Sequence, residues 1–493
     1  MPDDRPNLIL IMTDQHRGDC LGCDGHPVCE TPNLDELARG GARFPHAYTA
    51  TPSCIPARTS LFTGMNQWSH GQLSMVGRIE REHAHTLAGE LTAAGYQTRA
   101  VGKMHVFPQR KSWGFEHVLL DESSRRETAG FVSDYHRWFE ANKDGAYGYR
   151  DHGIDWNSWM ARPSHVPEHL HATNWTAMEG INFIETRDPT RPFFLFLSFC
   201  RPHSPYDPPQ HYYDRYVGRD DLPEPPVGDW ADIYAHLEET ENIVSPHRAQ
   251  RSRVETDRGR AAYWGSVTHI DAQIGHFLYH LGAWDLADNT FVMFTSDHGD
   301  MLGDHHLWRK TTPYEGSARI PFIVCPPAGM GIDGRQAVDP VVEIQDVMPT
   351  LLDAAGVPIP DAVDGRSVLP LMRGDTAGWR DYILGEHTTA LGETYYVTDG
   401  HEKLVWLSRQ NRLLFFNLDD DPQEERDRAS DPAAADRVSL WKQRLIDELH
   451  LRDMGHTDGD ELVQLTGPPI RFGPNHDKYV AGEPWPRVAP WRA

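Results

Sequence analysis

The chain has 493 residues, enough for two domains, and its 39% hydrophobic and 24% charged residues are the balance of a soluble globular protein. Such a composition excludes a fibrous, repetitive or wholly disordered chain. Asp plus Glu outnumber Lys plus Arg by 72 to 47, a formal charge of -25, which excludes any general attraction to nucleic acid or to an anionic membrane.

In chain order, residues 7–12 (Asn-Leu-Ile-Leu-Ile-Met) read as a buried strand. Thr31-Pro32 caps a helix with Leu34, Leu37 and Ala38 on one face, stopped by Gly40-Gly41. Pro56 is placed for the first turn of another helix, with Cys54 at or beside its N-terminus. Residues 86–94 form a helix that ends at Gly95 and feeds a strand over 97–101. A helix over 174–187 delivers the chain to a strand over 193–199. A long helix over 259–281 precedes a strand over 290–295, followed by a strand over 320–324 and a helix over 343–355. This alternation predicts an α/β fold with a mostly parallel central sheet sandwiched by helices.

Beyond about residue 370 the texture changes. Short strands over 395–397, 403–407 and 413–418, with a turn at Asp399-Gly400 and a helix over 434–451, predict a smaller α+β unit on an antiparallel sheet. The division expected is therefore 1–370, 371–466 and an irregular Pro- and Trp-rich arm over 467–493 that packs on a neighbouring domain or subunit. Two long insertions, 108–171 and 204–257, interrupt the larger part and carry Trp113, Tyr135, Trp138, Tyr149, Trp156 and Trp159. Long loops on such a scaffold usually build the binding site, although each ring alone serves equally well as local core.

Six cysteines, at 20, 23, 29, 54, 200 and 325, are too few for a disulfide framework. Cys20, Cys23 and Cys29 lie close together but lack the second cluster that zinc sites usually pair with them, so they read as small buried or surface thiols. The polar start over 1–6 lacks the basic and long apolar stretches of a secretory signal, and the run over 193–200 is too short to span a bilayer. The expectation is a soluble, cytoplasmic protein with no membrane or nucleic-acid partner. Oligomeric state stays open, a homo-oligomer included.

In open α/β sheets ligands bind beyond the carboxyl ends of the strands. Asp14 and Gln15 follow the first strand, and Asp297 and His298 follow the strand that ends at Thr295. Two carboxylates, an amide oxygen and an imidazole suit one divalent metal, and the oxygen-rich set favours calcium, or magnesium and manganese, over zinc. At the Cys54 helix the unpaired amides and the dipole favour an anion, and Arg58, one turn on, aims a cation at the same spot. Lys103 and His105 end another strand, His203 follows the strand over 193–199, and Lys310 follows Asp297 and His298. So many cations at strand ends in so acidic a chain mark a site for an oxyanion.

Cys54-x-Pro56-x-Arg58 resembles the sulfatase signature, in which the cysteine is oxidised to formylglycine. Residues 95–105 (Gly-Tyr-Gln-Thr-Arg-Ala-Val-Gly-Lys-Met-His) resemble the second signature of that family. Asp297-His298-Gly299 and Lys310 fall in the family's order, and Asn417-Leu418-Asp419 with Asp421-Pro422 is similar to its C-terminal sheet. The resemblance spans about residues 7–427 and implies an alkaline-phosphatase-like fold and hydrolysis of a sulfate monoester, from a sulfated sugar or an aryl sulfate. It further implies a formylglycine-generating enzyme as maturation partner. By position, it implies that Asp14, Gln15, Asp297, His298 and the modified Cys54 bind the metal. Arg58 would hold the nucleophile's charge, Lys103 and Lys310 would grip sulfate oxygens, His105 would take the hemiacetal proton and His203 would protonate the leaving oxygen.

Asp14-Gln15 and Asp297-His298 depart from the Asp-Asp and Asp-Asn pairs of many members and resemble the branch near the phosphonate monoester hydrolases. The resemblance pulls the other way at Lys103-x-His105, a pair that branch lacks, which implies sulfate monoesters rather than phosphonates and phosphate diesters. A thiol hydrolase using Cys54 with His105 or His203 leaves the acidic pairs unexplained. A non-catalytic sugar-binding homologue leaves the basic set unexplained.

Overall fold

The structure is a computed structural model and describes residues 5–237, 244–332, 334, 336–389, 392–452 and 454–481. The chain opens with β1 (Asn7–Asp14), α1 (Pro32–Gly40), the two-residue strands β2 (Ala42–Arg43) and β3 (Ala47–Tyr48), and helices α2 (Cys54–Thr63) and α3 (Gln67–His70). Then come α4 (Leu87–Ala93), β4 (Gln97–Gly102), β5 (His117–Leu120), α5 (Asp134–Asn142), α6 (Ala172–Thr186) and β6 (Phe193–Pro202). After α7 (Gln210–Tyr213) and the 31-residue α8 (Arg253–Ala283) follow β7 (Thr290–Ser296), α9 (Glu315–Ala318), β8 (Phe322–Cys325), β9 (Gln336–Ala337) and β10 (Val342–Glu343).

Eight strands form the main sheet in the order β5-β4-β6-β1-β7-β8-β2-β9. The central pairs β4–β6, β6–β1 and β1–β7 are parallel, whereas β8 runs antiparallel to β7. Parallel strands covered on both faces read as continuous apolar runs, and β1 shows why. Leu8, Leu10 and Met12 enter the core on one side of the sheet, and Ile9 and Ile11 enter the core on the other. β6 alternates in the same way, with Phe194 and Phe196 against Phe193, Leu195 and Leu197.

α10 (Val347–Ala354) and α11 (Leu369–Met372) lead to a separate antiparallel sheet of β11 (Ile383–Thr389), β12 (Gly392–Thr398), β13 (Glu402–Leu407) and β14 (Arg412–Asn417). One face of it packs Ile383, Tyr396, Val405 and Phe416 against Tyr48, Met301 and Tyr314. The other face packs Val397, Leu404, Trp406 and Phe415 against Trp441, Leu445 and Ile446 of α12 (Ala435–His450). The last described stretch returns to the first part of the chain. Leu73 N–H donates to Arg471 C=O at 3.2 Å, Glu82 N–H to Tyr479 C=O at 2.9 Å, and Tyr479 stacks on His83. Residues 482–493 of the expected arm lie outside the described residues.

Several expectations are corrected. The insertion over 108–171 is not all loop, because β5 extends the main sheet beside β4 and α5 follows. Tyr135, Trp138 and Tyr149 belong to a core beside Phe139, and of the six rings named in the insertions only Trp156 lines the cleft described below. The helix expected over 343–355 starts later, as strand β10, a short 3-10 turn and then α10. β11 was not expected. Its Glu386 and His387 are buried because Arg452 and Ser53 meet them, so the strand carries no apolar alternation.

Candidate active site

The carboxyl ends of β1, β4, β6 and β7 converge at one point, where α2 also begins. Ser53 caps α2 in an extended conformation, and Cys54 is its first residue. Every residue of the helix is buried, so the cysteine is fixed by packing along its whole length. Cys54 is 1% exposed, and its Sγ lies 3.2 Å from His298 Nε2, 3.5 Å from Lys103 Nζ and 3.7 Å from Asp14 Oδ1.

Asp14, Cys54, Asp297 and His298 each turn a donor atom into a space in which all four atoms lie within 4.8 Å of one another. His298 Nε2 is 3.8 Å from Asp14 Oδ1 and 3.7 Å from Asp297 Oδ1. Its Nδ1 lies 2.9 Å from Gly299 C=O, which fixes the tautomer with the Nε2 lone pair facing inward. Two wholly buried carboxylates beside that lone pair are a donor set that fits a divalent cation. Gln15 stands differently. Its amide oxygen accepts from Lys310 Nζ at 2.5 Å, its amide nitrogen donates to Asp300, and its backbone N–H donates to Asp297 Oδ1 at 3.0 Å. Its backbone lies in the left-handed region, at a φ of 72°.

The expected cations surround this group. Lys103 Nζ pairs with Asp14. Arg58 donates from Nε to Asp297 Oδ2 at 2.9 Å, and from Nη1 to Lys103 C=O at 2.6 Å and Ser198 Oγ at 3.0 Å. Its Nη2 has no partner among the described residues. Lys310 Nζ lies 2.7 Å from His203 Nε2, while His203 Nδ1 lies 2.8 Å from Ser204 C=O. Nδ1 therefore carries the ring hydrogen and Nε2 accepts from the ammonium. His105 meets Arg125, whose Nη1 is 2.6 Å from its Nε2, and the Lys103–His105 turn hangs on Glu122 through the N–H groups of Met104 and His105.

Electrostatics follow from burial set against this charge cluster. Burial pushes the Asp14 carboxyl up, but Lys103, His203, Arg58 and Lys310 together hold it well below the usual range. Burial and Asp14 push the Cys54 thiol up, and Lys103 and Lys310 bring it to a net lowering. Burial disfavours a charged His298, yet Asp297 and Cys54 raise it overall. Burial and then Lys310 hold His203 well below its ordinary value, and burial and then Arg125 do the same for His105.

Cys54, His203 and Lys310 open on a cleft of about 480 Å³. Its walls include Arg125, Arg309 and Arg471, and among the described residues its one acidic member is Glu127. His105 lines a smaller adjoining cavity with Arg58. Sequence reasoning missed His387, Arg125 and Asn157. His387 Nε2 lies 2.9 Å from Ser53 Oγ, brought there by the unexpected β11, and Asn157 Oδ1 accepts from Lys310 at 3.3 Å. Cys20, Cys23 and Cys29 form no metal-binding group among the described residues.

The sulfatase family model matches residues 6–357, and the model of the N-sulphoglucosamine sulphohydrolase C-terminal region matches 303–450. An arylsulfatase of Clostridium perfringens is 42% identical over 475 residues, 93% of this chain and 98% of that protein. The multifunctional alkaline phosphatase superfamily protein PehA of Trinickia caryophylli is 29% identical, over 90% of this chain and 95% of its own. The crystal structure of the phosphonate monoester hydrolase of Agrobacterium radiobacter superposes with a TM-score of 0.75 at 24% identity, covering 94% of this chain and 100% of that one, a likeness of fold. The chain belongs to the sulfatase family of the alkaline phosphatase superfamily and is a sulfuric ester hydrolase.

Proposed function

We propose that the protein hydrolyses sulfate monoesters, of sulfated sugars or of aryl alcohols, to the alcohol and inorganic sulfate, with Cys54 oxidised to formylglycine as the nucleophile-bearing residue. The observation that carries this reading is the position of Cys54, at a buried helix start, touching His298 and Lys103 and facing Asp14. Asp14, Asp297, His298 and the modified Cys54 would hold one divalent cation, calcium in preference to magnesium or manganese, with the Gln15 amide beside them. When bound, it would polarise the sulfate oxygens and favour the ionised form of the nucleophile's hydroxyl.

The chain's own residues supply the rest. Lys103 and Lys310 hold sulfate oxygens, and Arg58, anchored on Asp297, has Nη2 left to offer the nucleophile's negative charge. His105, held neutral by burial and then by Arg125, has one lone pair, which Arg125 occupies and has to release before His105 takes the hemiacetal proton. His203 and Lys310 share the hydrogen destined for the leaving oxygen. The Asp14-Gln15 and Asp297-His298 pairs, which resemble the branch near the phosphonate monoester hydrolases, carry a second reading, cleavage of phosphonate or phosphate diesters. The Lys103-x-His105 pair, which by resemblance that branch lacks, and the likeness to an arylsulfatase at 42% identity favour the sulfate reading. Activity on bis-aryl phosphates far above that on aryl sulfates would reverse the order.

The test is intact-mass measurement on protein co-produced with a formylglycine-generating enzyme, the partner that reads Cys54-x-Pro56-x-Arg58. Exchange of the thiol for a carbonyl lowers the mass by about 18 Da, and sulfatase activity should scale with the converted fraction. An active preparation of unmodified mass overturns the reading. Chelation should abolish activity, calcium or magnesium should restore it, and full recovery with zinc alone would count against the assigned ion.

A further inference from the structure

We propose that His46, Asp339 and His401 form a second metal site, remote from Cys54, which takes a borderline divalent cation such as zinc and pins the β12–β13 turn to the larger part of the chain. The three residues come from three separate segments: the β2–β3 connection, the stretch after β9, and the turn that follows Gly400. His46 Nε2 lies 3.5 Å from Asp339 Oδ1, and His401 Nε2 lies 3.3 Å from Asp339 Oδ2. Zinc bonds of about 2.0–2.1 Å in a tetrahedron place neighbouring ligand atoms about 3.3–3.4 Å apart. The two imidazoles approach different oxygens of Asp339, and one donor atom from each of the three residues lies within 4.8 Å of the others, so a small movement closes them on one ion. Two imidazoles and one carboxylate, with a fourth position open to water, match the ligands zinc accepts rather than those of calcium.

Two further observations point the same way. His401 Nδ1 is 2.8 Å from Asp419 Oδ1, the carboxylate–histidine arrangement that orients metal-binding imidazoles and leaves Nε2 free to ligate. Both ring nitrogens of His401 thus face carboxylate oxygens, yet a neutral ring supplies hydrogen to only one of them. A cation between His401 and Asp339 resolves that conflict, and a second ring proton is the alternative. The close approach of the rings, with centroids 4.6 Å apart, is also built in. Gly400 has a φ of 96°, and a Cβ there would come within 2.3 Å of His46 Cγ, so only glycine lets the turn sit against that ring. Asp339 is 73% exposed and provides the entry path. The nearby Arg319 is occupied by Asp24 and the Pro45 carbonyl.

The experiment is equilibrium dialysis of the whole protein against Zn²⁺ with calcium in excess, with bound zinc counted and Tm recorded with and without it. Wild type should bind one zinc more than Asp339→Ala, His46→Ala or His401→Ala, and should gain Tm on zinc addition that these variants lose. Asp419→Asn should weaken that extra zinc by about 10–100-fold. Asp339 lies at the surface, so its variant stays folded and keeps the comparison decisive. Equal zinc counts and equal Tm shifts in wild type and Asp339→Ala overturn the proposal. So does a His401 ring that titrates as a doubly protonated imidazolium regardless of zinc.

Discussion

His203 illustrates how a hydrogen-bond direction constrains a role. Its Nδ1 hydrogen is committed to Ser204 C=O and its Nε2 accepts from Lys310, so in the resting site it is a neutral base with an ammonium attached. Under the proposed function, a proton delivered to the leaving oxygen would therefore come through the Lys310–His203 pair rather than from a free imidazolium. A nitrophenolate departs readily without a proton, whereas a sugar alkoxide does not. General acid catalysis is worth about 10² to 10⁴ in rate. His203→Ala should lose most of that factor on an alkyl or sugar sulfate and much less on an activated aryl sulfate. Lys310→Ala should show the same leaving-group bias on top of a loss in sulfate binding, and the double variant should cost less than the product of the two. Steady-state rates on both substrates check this, and equal losses for His203→Ala on the two would remove it from the acid's role.

At the scale of elements, the C-terminal sheet is wired to the segment after Lys310 through a buried ion group. Lys403 of β13 is wholly buried, donates to Pro313 C=O at 3.1 Å, and pairs with Glu315 of α9 and Glu424. Pro313 and Glu315 immediately follow the segment that carries Lys310, so the sheet holds that segment in place. Removing one partner of a buried ion pair costs about 3–5 kcal/mol, because the remaining charge is stranded. Lys403→Met should therefore lower unfolding stability by that order, measured by denaturant titration. The loss should also depend on pH. Burial, opposed by Lys403, holds the Glu424 carboxyl up at about 7. A carboxyl raised in the fold contributes stability fully present below its ordinary value of about 4.5 and lost as pH rises through its folded value. Without Lys403 the folded value climbs further, so the deficit should be smaller at pH 5 than at pH 8. A deficit independent of pH would mean that the stranded charge is not its cause.

The same elements show what could be read in advance. β1, β4, β6 and β7 were legible because both of their faces are buried, which leaves apolar runs, and the residues at their carboxyl ends are those that the fold gathers around Cys54. Cys54 at a helix start was legible from Pro56. β11 was not, because Glu386 and His387 are buried by specific partners rather than by apolar packing, and no local pattern reports a partner 66 residues away. Arg125 was equally hidden. It reaches His105 because β5 joins the sheet and Glu122 ties the two segments together, a tertiary pairing with no signature in the insertion itself.

For the whole molecule, the question is how a chain of charge -25 captures an anion. A chain of this length has a radius of gyration of about 23 Å. At 0.01 M ionic strength the screening length is about 30 Å, so an approaching sulfate ester feels the entire acidic surface. At 0.15 M it is about 8 Å, and only the cleft is still felt. Among the described residues, the cleft walls carry Arg125, Arg309, Lys310 and Arg471 against the single Glu127. Raising the salt across this interval therefore removes the repulsion before it removes the attraction. kcat/KM for an anionic aryl sulfate should rise between 0.01 and 0.15 M, then fall at higher salt as the cleft in turn is screened. A zwitterionic sulfate ester bearing a quaternary ammonium has no net charge for the distant field to repel, and its kcat/KM should show no initial rise. Arg471→Ala, which removes an exposed cation from the rim, should reduce the anionic ester's kcat/KM without abolishing the rise, since the repelling surface is untouched. A monotonic fall for the anionic ester from the lowest salt onward would show that the cleft's cations dominate the field even at a distance of 30 Å.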